Sequence, residues 1–487
     1  MGIIVRQSLK ASIVGYVAAI IGVINTFFIY TLCFTESQLG QIRFVQDTAI
    51  LLAGLFSLGV YNIAVRFFPD FKSENKHNGF LGLLFLFFLG GVSLFTILYG
   101  LINQSLPVEF NENIKVIWLT FSSVILAKIL FHYTSNFGRI VVPSILNNLF
   151  VKIGLSLIAL YFFYTQLSFS DLLYGIPIIY GSAAIGLILY VGYIKQLKVS
   201  FQFSFLTKTR LKQILTYAGF GILGTIGSSL ATRLDIFMVT DILDYARTGV
   251  YAIAFNIANL LMVPTAAIFA ISGPIIAGAL KKNDLNHVEE IYKKSGLNLF
   301  ILGCLIMILI WCNIDVIFDI IPNGERYKSG KIVILLLGIA KLFDMLTSIN
   351  EYIIAYSKHF RYNLYFLLIL AVVNVVANLT LIPQFELAGA ALATLISIVL
   401  YNVFKTYFVY YKFKIHPFQR EIGYTFLISV FIVCLNMILP DLANSWLSLI
   451  FKTIILGGIF IVGVLVFKLS AEANNIWDQL KKKLINK

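Results

Sequence analysis

The sequence predicts an all-α polytopic membrane protein whose two halves are similar in sequence. Hydrophobic residues make up 59% of the chain, charged residues only 12%, and the mean hydropathy is +0.89. This composition lies far from that of average soluble proteins. About fourteen apolar runs are long enough to cross the hydrocarbon layer, which takes about 20 helical residues each. Gly15 and Gly224 stand at the same spacing as Gly40 and Gly249, which indicates an internal repeat.

The predicted spans follow one another with short connections, which leaves no room for a sizeable external domain. In the first half they are Ala11 to Phe34, Phe44 to Phe67, Phe80 to Ile102, Ile114 to Tyr133, Val141 to Tyr164 and Leu172 to Ile194. In the second half they are Leu215 to Val239, Thr248 to Gly278, Gly296 to Cys312, Ile332 to Tyr356, Leu364 to Ile382, Leu387 to Tyr410, Ile422 to Leu439 and Trp446 to Phe467.

Membrane topology explains the excess of basic residues. A net charge of +14 would suggest a nucleic-acid partner for a soluble protein. With the N-terminus in the cytoplasm, however, the predicted inner loops and tails hold about 27 of the Lys and Arg residues, and the outer loops hold about six. The positive-inside rule therefore predicts a multi-pass protein of the cytoplasmic (inner) membrane of a bacterium, with both termini cytoplasmic. Anionic lipid, and not nucleic acid, is the expected partner of these charges.

The repeat and the basic runs predict five parts of the chain. They are an N-terminal six-helix lobe (1–194), a basic cytoplasmic linker (195–212), a second six-helix lobe that repeats the first (213–411), two extra transmembrane helices (412–468) and a basic cytoplasmic tail (469–487). Two similar halves in a membrane protein indicate a transporter whose substrate site lies between them.

No residue pattern indicates an enzyme, a metal site or a bound cofactor. Cys33, Cys304, Cys312 and Cys434 lie singly within or at the ends of apolar runs, as small core residues do. The five histidines lack the spacing of metal ligands. The sequence therefore predicts a transporter without a prosthetic group, and it leaves proton or sodium coupling open.

The few ionised residues inside the apolar runs are the candidate site residues. Each would cost roughly 2.5 to 3.5 kcal/mol if it faced lipid near the middle of the bilayer, so as a group they are expected to face protein or water. Arg233 and Asp235 are two positions apart and so point to nearly opposite sides of one helix, with Arg233 about one turn from its outer end. Arg43 and Asp47, four apart near the outer end of another helix, predict a local ion pair.

Two further helices have polar faces. Asn148 and Lys152, four apart, form the first. Lys341, Asp344 and Glu351 fall within about 80 degrees of one another and form the second. Both faces are expected to turn toward the interior of the protein.

Several stretches resemble a known family. The run from Asn374 to Pro383, followed by Leu387 to Thr394, resembles the signature of bacterial polysaccharide (O-antigen-type) flippases. These belong to the multidrug/oligosaccharidyl-lipid/polysaccharide exporter (MOP) superfamily. The stretches 39–67 and 233–254 are similar to the same family. One departure is Glu386, where the family usually has glycine.

The resemblance implies a fold and a function. The fold is a V-shaped cleft between two six-helix lobes, with two extra C-terminal helices. The function is the movement of a polyprenyl-diphosphate-linked oligosaccharide to the outer leaflet by alternating access, for polysaccharide biosynthesis. A polysaccharide polymerase and a chain-length regulator would be its partners.

The resemblance and the intramembrane charges together give a set of candidate site residues. Guanidinium and ammonium groups supply charge-assisted hydrogen bonds to phosphate. The expected substrate-binding residues are Arg233, Lys152, Arg66, Asn148 and Lys341. The acids available to a coupling proton or sodium ion are Asp235, Asp344 and Glu351. If the membrane potential alone drives the anionic lipid, none of these acids is needed.

Three alternatives to this function remain. The first is a cation-coupled drug antiporter of the same superfamily, although the two extra helices from Ile422 to Phe467 exceed the twelve that such antiporters generally have. The second is a lipid II flippase. The third is a membrane glycan polymerase or glycosyltransferase, which would need a substantial external loop with catalytic residues.

Overall fold

The structure, a computed structural model, describes residues 3–73, 77–165, 167–197, 199–201, 203, 206–347 and 349–485. Within these residues all regular secondary structure is helical, and the predicted all-α fold class is confirmed. Parts of the predicted basic linker and the last two residues of the tail lie outside the described residues. The chain forms two compact units, Met1–Gly249 and Val250–Lys487, called unit 1 and unit 2 below.

The helices of unit 1 are α1 (Ile3–Ile24), α2 (Tyr30–Cys33), α3 (Glu36–Leu55), α4 (Val60–Arg66), α5 (Phe68–Ser73), α6 (His77–Ile102), α7 (Val108–Glu112), α8 (Ile114–Ser135), α9 (Val141–Ser144), α10 (Val151–Tyr164), α11 (Phe169–Tyr193) and α12 (Lys208–Ile242). Helix α13 (Tyr245–Asn259) begins in unit 1 and ends in unit 2. The helices of unit 2 are α14 (Thr265–Lys281), α15 (Leu285–Cys312), α16 (Ile314–Ile320), α17 (Lys331–Thr347), α18 (Asn350–Ala355), α19 (Arg361–Phe413), α20 (Arg420–Asn436), α21 (Ser445–Val466) and α22 (Ala471–Ile485).

Eight helical stretches of the described residues are long and apolar enough to cross a membrane, and the bent pair α3 and α4 has the composition of a ninth, broken span or of a re-entrant loop. The other predicted spans are interrupted, merged or short. A 3-10 turn (Leu260–Met262) and Pro264 separate α13 from α14, α17 and α18 are separate helices, and α19 covers two predicted spans. The chain is a multi-pass membrane protein, and the count of fourteen helices stays a prediction.

Unit 1 is built around α8, which packs against α11 and α3. Helix α3 begins with a capping box, in which Thr35 and Gln38 each accept a hydrogen bond from the other's backbone N–H, a strong helix start. Helix α12 packs along α3 and belongs to unit 1 by its contacts. The units therefore divide at residues 249 and 250 and not at the basic linker, and the predicted lobes stay a prediction.

Two glycines at equivalent positions of the repeat pack against each other. A Cβ atom on Gly40 would overlap the Tyr245 carbonyl, and a Cβ atom on Gly249 would overlap the Glu36 carbonyl. Small residues at such positions let the backbones of membrane helices approach closely. The repeat has therefore kept glycine where α3 and α13 meet.

Helices α20 and α21, which correspond to the last two predicted spans, are part of the core of unit 2. Ile432 of α20 and Leu456 and Phe460 of α21 are buried together with Phe300 and Ile308 of α15. A second buried cluster joins α14, α15, α18 and α19. The additional C-terminal helices thus complete this unit through apolar packing.

Helix α19 bends sharply at Glu386. This residue has φ 49° and ψ −127°, and two helices meet across it. Few residues other than glycine adopt positive φ values, which agrees with the glycine usually found here in the family that the sequence resembles. Gly389 follows at a point where a Cβ atom would overlap the Leu381 carbonyl. The chain therefore bends at position 386 although the residue there is glutamate and not glycine.

Candidate functional site

The first polar feature of unit 1 is a π-helical segment, Asn25–Ile29, that continues α1. π-Helical segments are rare and occur frequently at functional sites. Asn25 is buried, its side-chain amide donates to the Lys152 carbonyl at 2.9 Å, and Ser156 Oγ donates to Asn25 Oδ1 at 2.6 Å. These bonds tie the segment to α10 at the level of Lys152.

Lys152 reaches from α10 across to α1. Its Nζ atom donates to the Ala18 carbonyl at 2.8 Å. The side chain lies against Gly22, where any Cβ atom would clash with the ammonium group. Because Ala18 is neutral, this contact leaves the charge of Lys152 uncompensated by an acid.

Arg43 approaches the same segment from α3. Its Nη2 atom donates to Thr26 Oγ1 at 2.9 Å, and the guanidinium lies 5.7 Å from the centre of the Tyr30 ring. Its buried Nε atom has no hydrogen-bond partner among the described residues. A buried donor of this kind is normally satisfied by water or by a ligand.

Asp47 pairs with Arg233 of α12, and the predicted pair between Arg43 and Asp47 is wrong. Asp47 Oδ1 accepts a hydrogen bond from Arg233 Nη1. The packing of α12 along α3 brings a guanidinium from the neighbouring helix to Asp47, while Arg43 is held by Thr26. The Arg233 side chain keeps 33% of its surface exposed and Asp47 keeps 16%, so this pair is not sealed from water.

Arg43, Lys152, Arg233 and Asp47 form what is called the cation cluster below. Arg43 lies close enough to Lys152 and to Arg233 to repel both. Among the residues that the structure describes, three cations and one carboxylate leave two positive charges in excess. Arg233 lies about 13 Å from the end of α12, deeper than the predicted single turn because α12 continues to Ile242. Like charges at this depth are costly unless an anion joins them.

Three predicted site residues of unit 1 are not part of the cation cluster. Arg66 is exposed in the last turn of α4, over the Phe67 ring, at the far end of the bent pair α3 and α4. Asn148 is exposed in a second π-helical segment, Ile145–Phe150. Asp235 is buried on α12, while Arg233 is partly exposed, as their two-residue spacing predicts.

A second group of polar residues lies in unit 2, around the predicted acids. Asn402 of α19 donates to Asp344 Oδ1 of α17 at 2.9 Å. Glu351 Oε2 of α18 lies 3.7 Å from Lys405 Nζ of α19. Lys341 lies over the Phe255 ring at 5.4 Å and interacts electrostatically with Asp344. The predicted face of α17 and α18 therefore turns toward α19.

Lys405 is a candidate site residue that the sequence did not predict. Its side chain is only 1% exposed, and its Nζ atom donates to Tyr401 Oη at 3.0 Å. In the sequence it precedes Lys412 and Lys414, so it resembles the basic residues that end a helix. The available signal was its four-residue spacing from Tyr401, with Asn402 and Thr406 beside them on one helix face.

Comparisons with known proteins agree with this fold. Residues 222–380 match the MatE family. The chain is 24% identical over 366 residues to a protein described as "Probable flippase AglR" from Haloferax volcanii. That alignment covers 73% of this chain and 64% of AglR, so the chain matches less than two thirds of its relative.

Solved structures of membrane transporters have a similar fold. The lipid II flippase MurJ in an inward closed conformation gives a TM-score of 0.72 at 15% identity, covering 94% of this chain and 98% of MurJ. An inward-facing multidrug resistance MATE family transporter of the MOP superfamily gives 0.62 at 12% identity, covering 82% of this chain and 94% of the transporter. The protein therefore has the fold of MOP superfamily transporters. Within that fold, residues 222–380 carry the MatE family pattern.

Proposed function

We propose that the protein is a flippase that moves a polyprenyl-diphosphate-linked oligosaccharide across the cytoplasmic membrane for surface polysaccharide biosynthesis. The cation cluster carries this proposal, because it brings two excess positive charges together on apolar helices, well away from the end of α12. A diphosphate is an anion that would balance them. The transport step is alternating access, and the molecule is a transporter and not an enzyme.

Each cation of the cluster has capacity left for phosphate oxygens. Within the described part of the chain, the Lys152 ammonium donates to a neutral backbone carbonyl, and the Arg43 Nε donor has no hydrogen-bond partner. A guanidinium binds phosphate through two parallel hydrogen bonds, whereas an ammonium acts as a point charge. The substrate diphosphate would replace Asp47 as the main partner of Arg233 and would bridge it to Lys152. Arg66, Asn148 and Lys341 stay proposed contacts for other parts of the substrate.

The relatives support a flippase over a drug antiporter. AglR is described as a probable flippase and MurJ as a lipid II flippase. The MurJ likeness extends over 94% of this chain, whereas the MATE transporter covers 82%. The additional helices α20 and α21, packed on α15, fit the longer fold.

A lipid II flippase is the second candidate, and the extent of the MurJ likeness favours it. Lipid II and a polyprenyl-linked oligosaccharide share the polyprenyl diphosphate and differ in the attached sugar. The cation cluster would serve either substrate. Transport assays with both lipids would separate the two candidates.

The proposed setting follows from the substrate. The protein would lie in the inner membrane of a bacterium with both termini in the cytoplasm, beside a polysaccharide polymerase and a chain-length regulator. Energy would come from a proton or sodium ion carried by Asp235, Asp344 or Glu351, or from the membrane potential. No cofactor is required.

Substitution of Arg233 tests the proposal. Glycan export and membrane abundance would be measured together for Arg233→Ala, Arg233→Lys and Asp47→Asn. We expect Arg233→Ala to abolish export at near-normal abundance, and Arg233→Lys to retain part of it, because lysine keeps the charge and loses the fork. Asp47→Asn should retain export, since it removes only the internal competitor for Arg233.

The competing account is a purely structural ion pair. In that case Arg233→Ala and Asp47→Asn would both lower the amount of folded protein, because each leaves a partner charge in the membrane, at up to about 3 kcal/mol. Parallel loss of abundance and export in both variants would contradict the proposal, as would intact export in Arg233→Ala.

A further inference from the structure

The loop between α19 and α20 is held firmly against unit 2. Helix α19 ends before Lys414, whose left-handed backbone, with φ 60°, turns the chain. The loop 414–419 that begins there has no regular secondary structure. Ile415 is buried in the cluster that joins α14, α15, α18 and α19, and Gln419 Nε2 donates to the Lys293 carbonyl of α15 at 2.9 Å. These contacts fix the position of the loop.

The same loop forms one wall of an apolar cavity of about 440 Å³. His416 and Phe418, which alternate with the anchored residues of the loop, line it, and their rings are stacked with centroids 6.5 Å apart. Val403, Tyr407 and Tyr410 form a second wall. Their spacing of four and three residues places them on one face of α19. The cavity therefore lies between a helix face and a fixed loop.

The shape of the cavity suits a hydrocarbon chain that lies along α19. Val403 and Tyr410 are seven residues apart, or about 10 Å along the helix axis. Tyr407 is 66% exposed and Tyr410 is 49% exposed, so the cavity is open on one side. Tyrosine rings near the ends of membrane helices mark the level of the lipid headgroups. A chain in the cavity would therefore have its head near the end of α19.

Cations lie at that end of the helix. Lys414 Nζ is 5.7 Å from the centre of the Tyr410 ring, and Lys412 Nζ is 5.2 Å from the centre of the Tyr411 ring. Arg420 begins α20 at the other end of the loop. All three side chains are exposed, and none of them pairs with a carboxylate among the described residues.

The acids of this region do not neutralise the three cations. Glu289 and Glu290 of α15 pair with Lys293 and Lys294 at 2.7 Å. Residues 411–421 contain three cations and one acid, which leaves two positive charges in excess. Basic pockets between membrane helices on the cytoplasmic side bind anionic lipid headgroups, and the positive-inside pattern predicts this loop to be cytoplasmic.

We propose that this cavity binds an anionic phospholipid of the surrounding membrane. One acyl chain lies along Val403 and Tyr407, and the phosphate lies at Lys414. A lysine ammonium binds phosphate as a point charge, without the bidentate fork of arginine, which suits a singly charged phosphodiester. The proposed diphosphate site is the cation cluster of unit 1, so this inference does not depend on the transported substrate.

Native mass spectrometry of the purified full chain in detergent tests the site. The protein would be titrated with phosphatidylglycerol, which is anionic, and with phosphatidylethanolamine of the same acyl chains, which has no net charge. We expect the first phosphatidylglycerol to bind at least about fivefold more tightly, as one lipid-facing cation predicts. Lys414→Asn should remove about fivefold of the phosphatidylglycerol affinity and leave that of phosphatidylethanolamine unchanged.

The matched control for this variant is Lys195→Asn. Lys195 is also an exposed lysine that follows a helix in the left-handed conformation, with φ 56°, in a loop predicted to be cytoplasmic. Asparagine tolerates that backbone at both positions, so both variants remove one charge without backbone strain. Lys195→Asn should bind both lipids as the wild type does.

A second pair of variants tests the cavity itself. Val403→Trp places a large ring in the cavity and should weaken the binding of both lipids by a similar factor, because it displaces the acyl chain. The control is Val372→Trp, since Val372 is an exposed valine of α19 that does not line the cavity. It should leave both affinities unchanged.

The proposal is overturned if the wild type binds both lipids equally, if Lys414→Asn and Lys195→Asn lose the same affinity, or if Val403→Trp binds as the wild type does. It is also overturned if polyprenyl diphosphate displaces the bound phosphatidylglycerol, because the site would then belong to the transported lipid. If Lys414→Asn does not fold, Arg420→Gln takes its place with the same expected loss. Lys152→Met should bind phosphatidylglycerol normally, so failure of the flippase proposal is distinguishable from failure of this one.

Discussion

The cation cluster of unit 1 and the charged group of unit 2, which consists of Lys341, Asp344, Glu351 and Lys405, differ in their balance of charge. The cluster has three cations and one carboxylate, and its Lys152 and Arg43 are held by neutral oxygen atoms. The unit 2 group has two cations and two carboxylates. A site with excess positive charge can accept an anion from outside, whereas the charges of a balanced group compensate one another.

The internal repeat of the sequence does not extend to every charged position. Thr26, which accepts the hydrogen bond from Arg43, occupies the repeat position of Asp235. Gly40 and Gly249 are equivalent and pack together. The repeat supplies close helix packing, and each copy has acquired its own charges.

After the loss of export in Arg233→Ala, the largest expected effect is the loss of transport in Lys152→Met. Removing one charge-assisted contact to phosphate costs about 1.5 to 3 kcal/mol, or roughly 10- to 100-fold in transport rate. Abundance should change little, because no acid loses its partner. The matched control is Lys128→Met, since Lys128 is a lysine of α8 that lies over the Tyr61 ring outside the cluster. Equal losses in both variants would contradict a specific role for the cluster.

Substitution of the two packed glycines, Gly40 and Gly249, should lower the stability of the protein without changing either charged group. Gly40→Ala and Gly249→Ala each place a methyl group against a carbonyl oxygen, and such overpacking typically costs 1 to 3 kcal/mol, so we expect a loss of about that size. Thermal unfolding in detergent would measure it. Gly100→Ala is the control, because nothing lies within 4 Å of its added Cβ atom. Unchanged unfolding in both variants would show that the backbones can separate there without loss.

Lys405 and Lys452 are both buried in unit 2, but their acidic partners differ in number and exposure. Lys405→Met removes the charge that Glu351 and Asp344 share, and should destabilise the protein by about 1 kcal/mol or more. Lys452→Met leaves only Asp441, whose side chain is 70% exposed, and should cost less than about 1 kcal/mol. Thermal unfolding of the two variants under one set of conditions gives the order. A larger loss of stability in Lys452→Met than in Lys405→Met would mean that Lys405, Glu351 and Asp344 do not stabilise one another as a network.

The sequence predicts the helices well because hydropathy depends on composition within each run, and composition is local. It also indicates the internal repeat, since glycines such as Gly40 and Gly249 are fixed by close packing. It does not predict where helices break. The 3-10 turn between α13 and α14, and the bend at Glu386, depend on tertiary packing that local composition does not record.

The site was harder to predict because ion pairs form between helices. Spacing of four residues suggested that Arg43 would pair with Asp47, but the neighbouring helix α12 supplies Arg233 instead. Lys405 was missed for a related reason. Lys405 is buried because α17 and α18 pack over it. The polar face that it forms with Tyr401, Asn402 and Thr406 on α19 does not by itself show that other helices cover it.

Binding of a polyprenyl diphosphate to the purified protein in nanodiscs tests the central claim most directly. The affinities of the wild type, Lys152→Met and Lys128→Met would be measured for polyprenyl diphosphate and for polyprenyl monophosphate. We expect the wild type and Lys128→Met to prefer the diphosphate by about tenfold, and Lys152→Met to lose that preference, as one charged contact predicts. Equal affinity of the wild type for both lipids, or an unchanged preference in Lys152→Met, would contradict the assignment of the cation cluster as the diphosphate site.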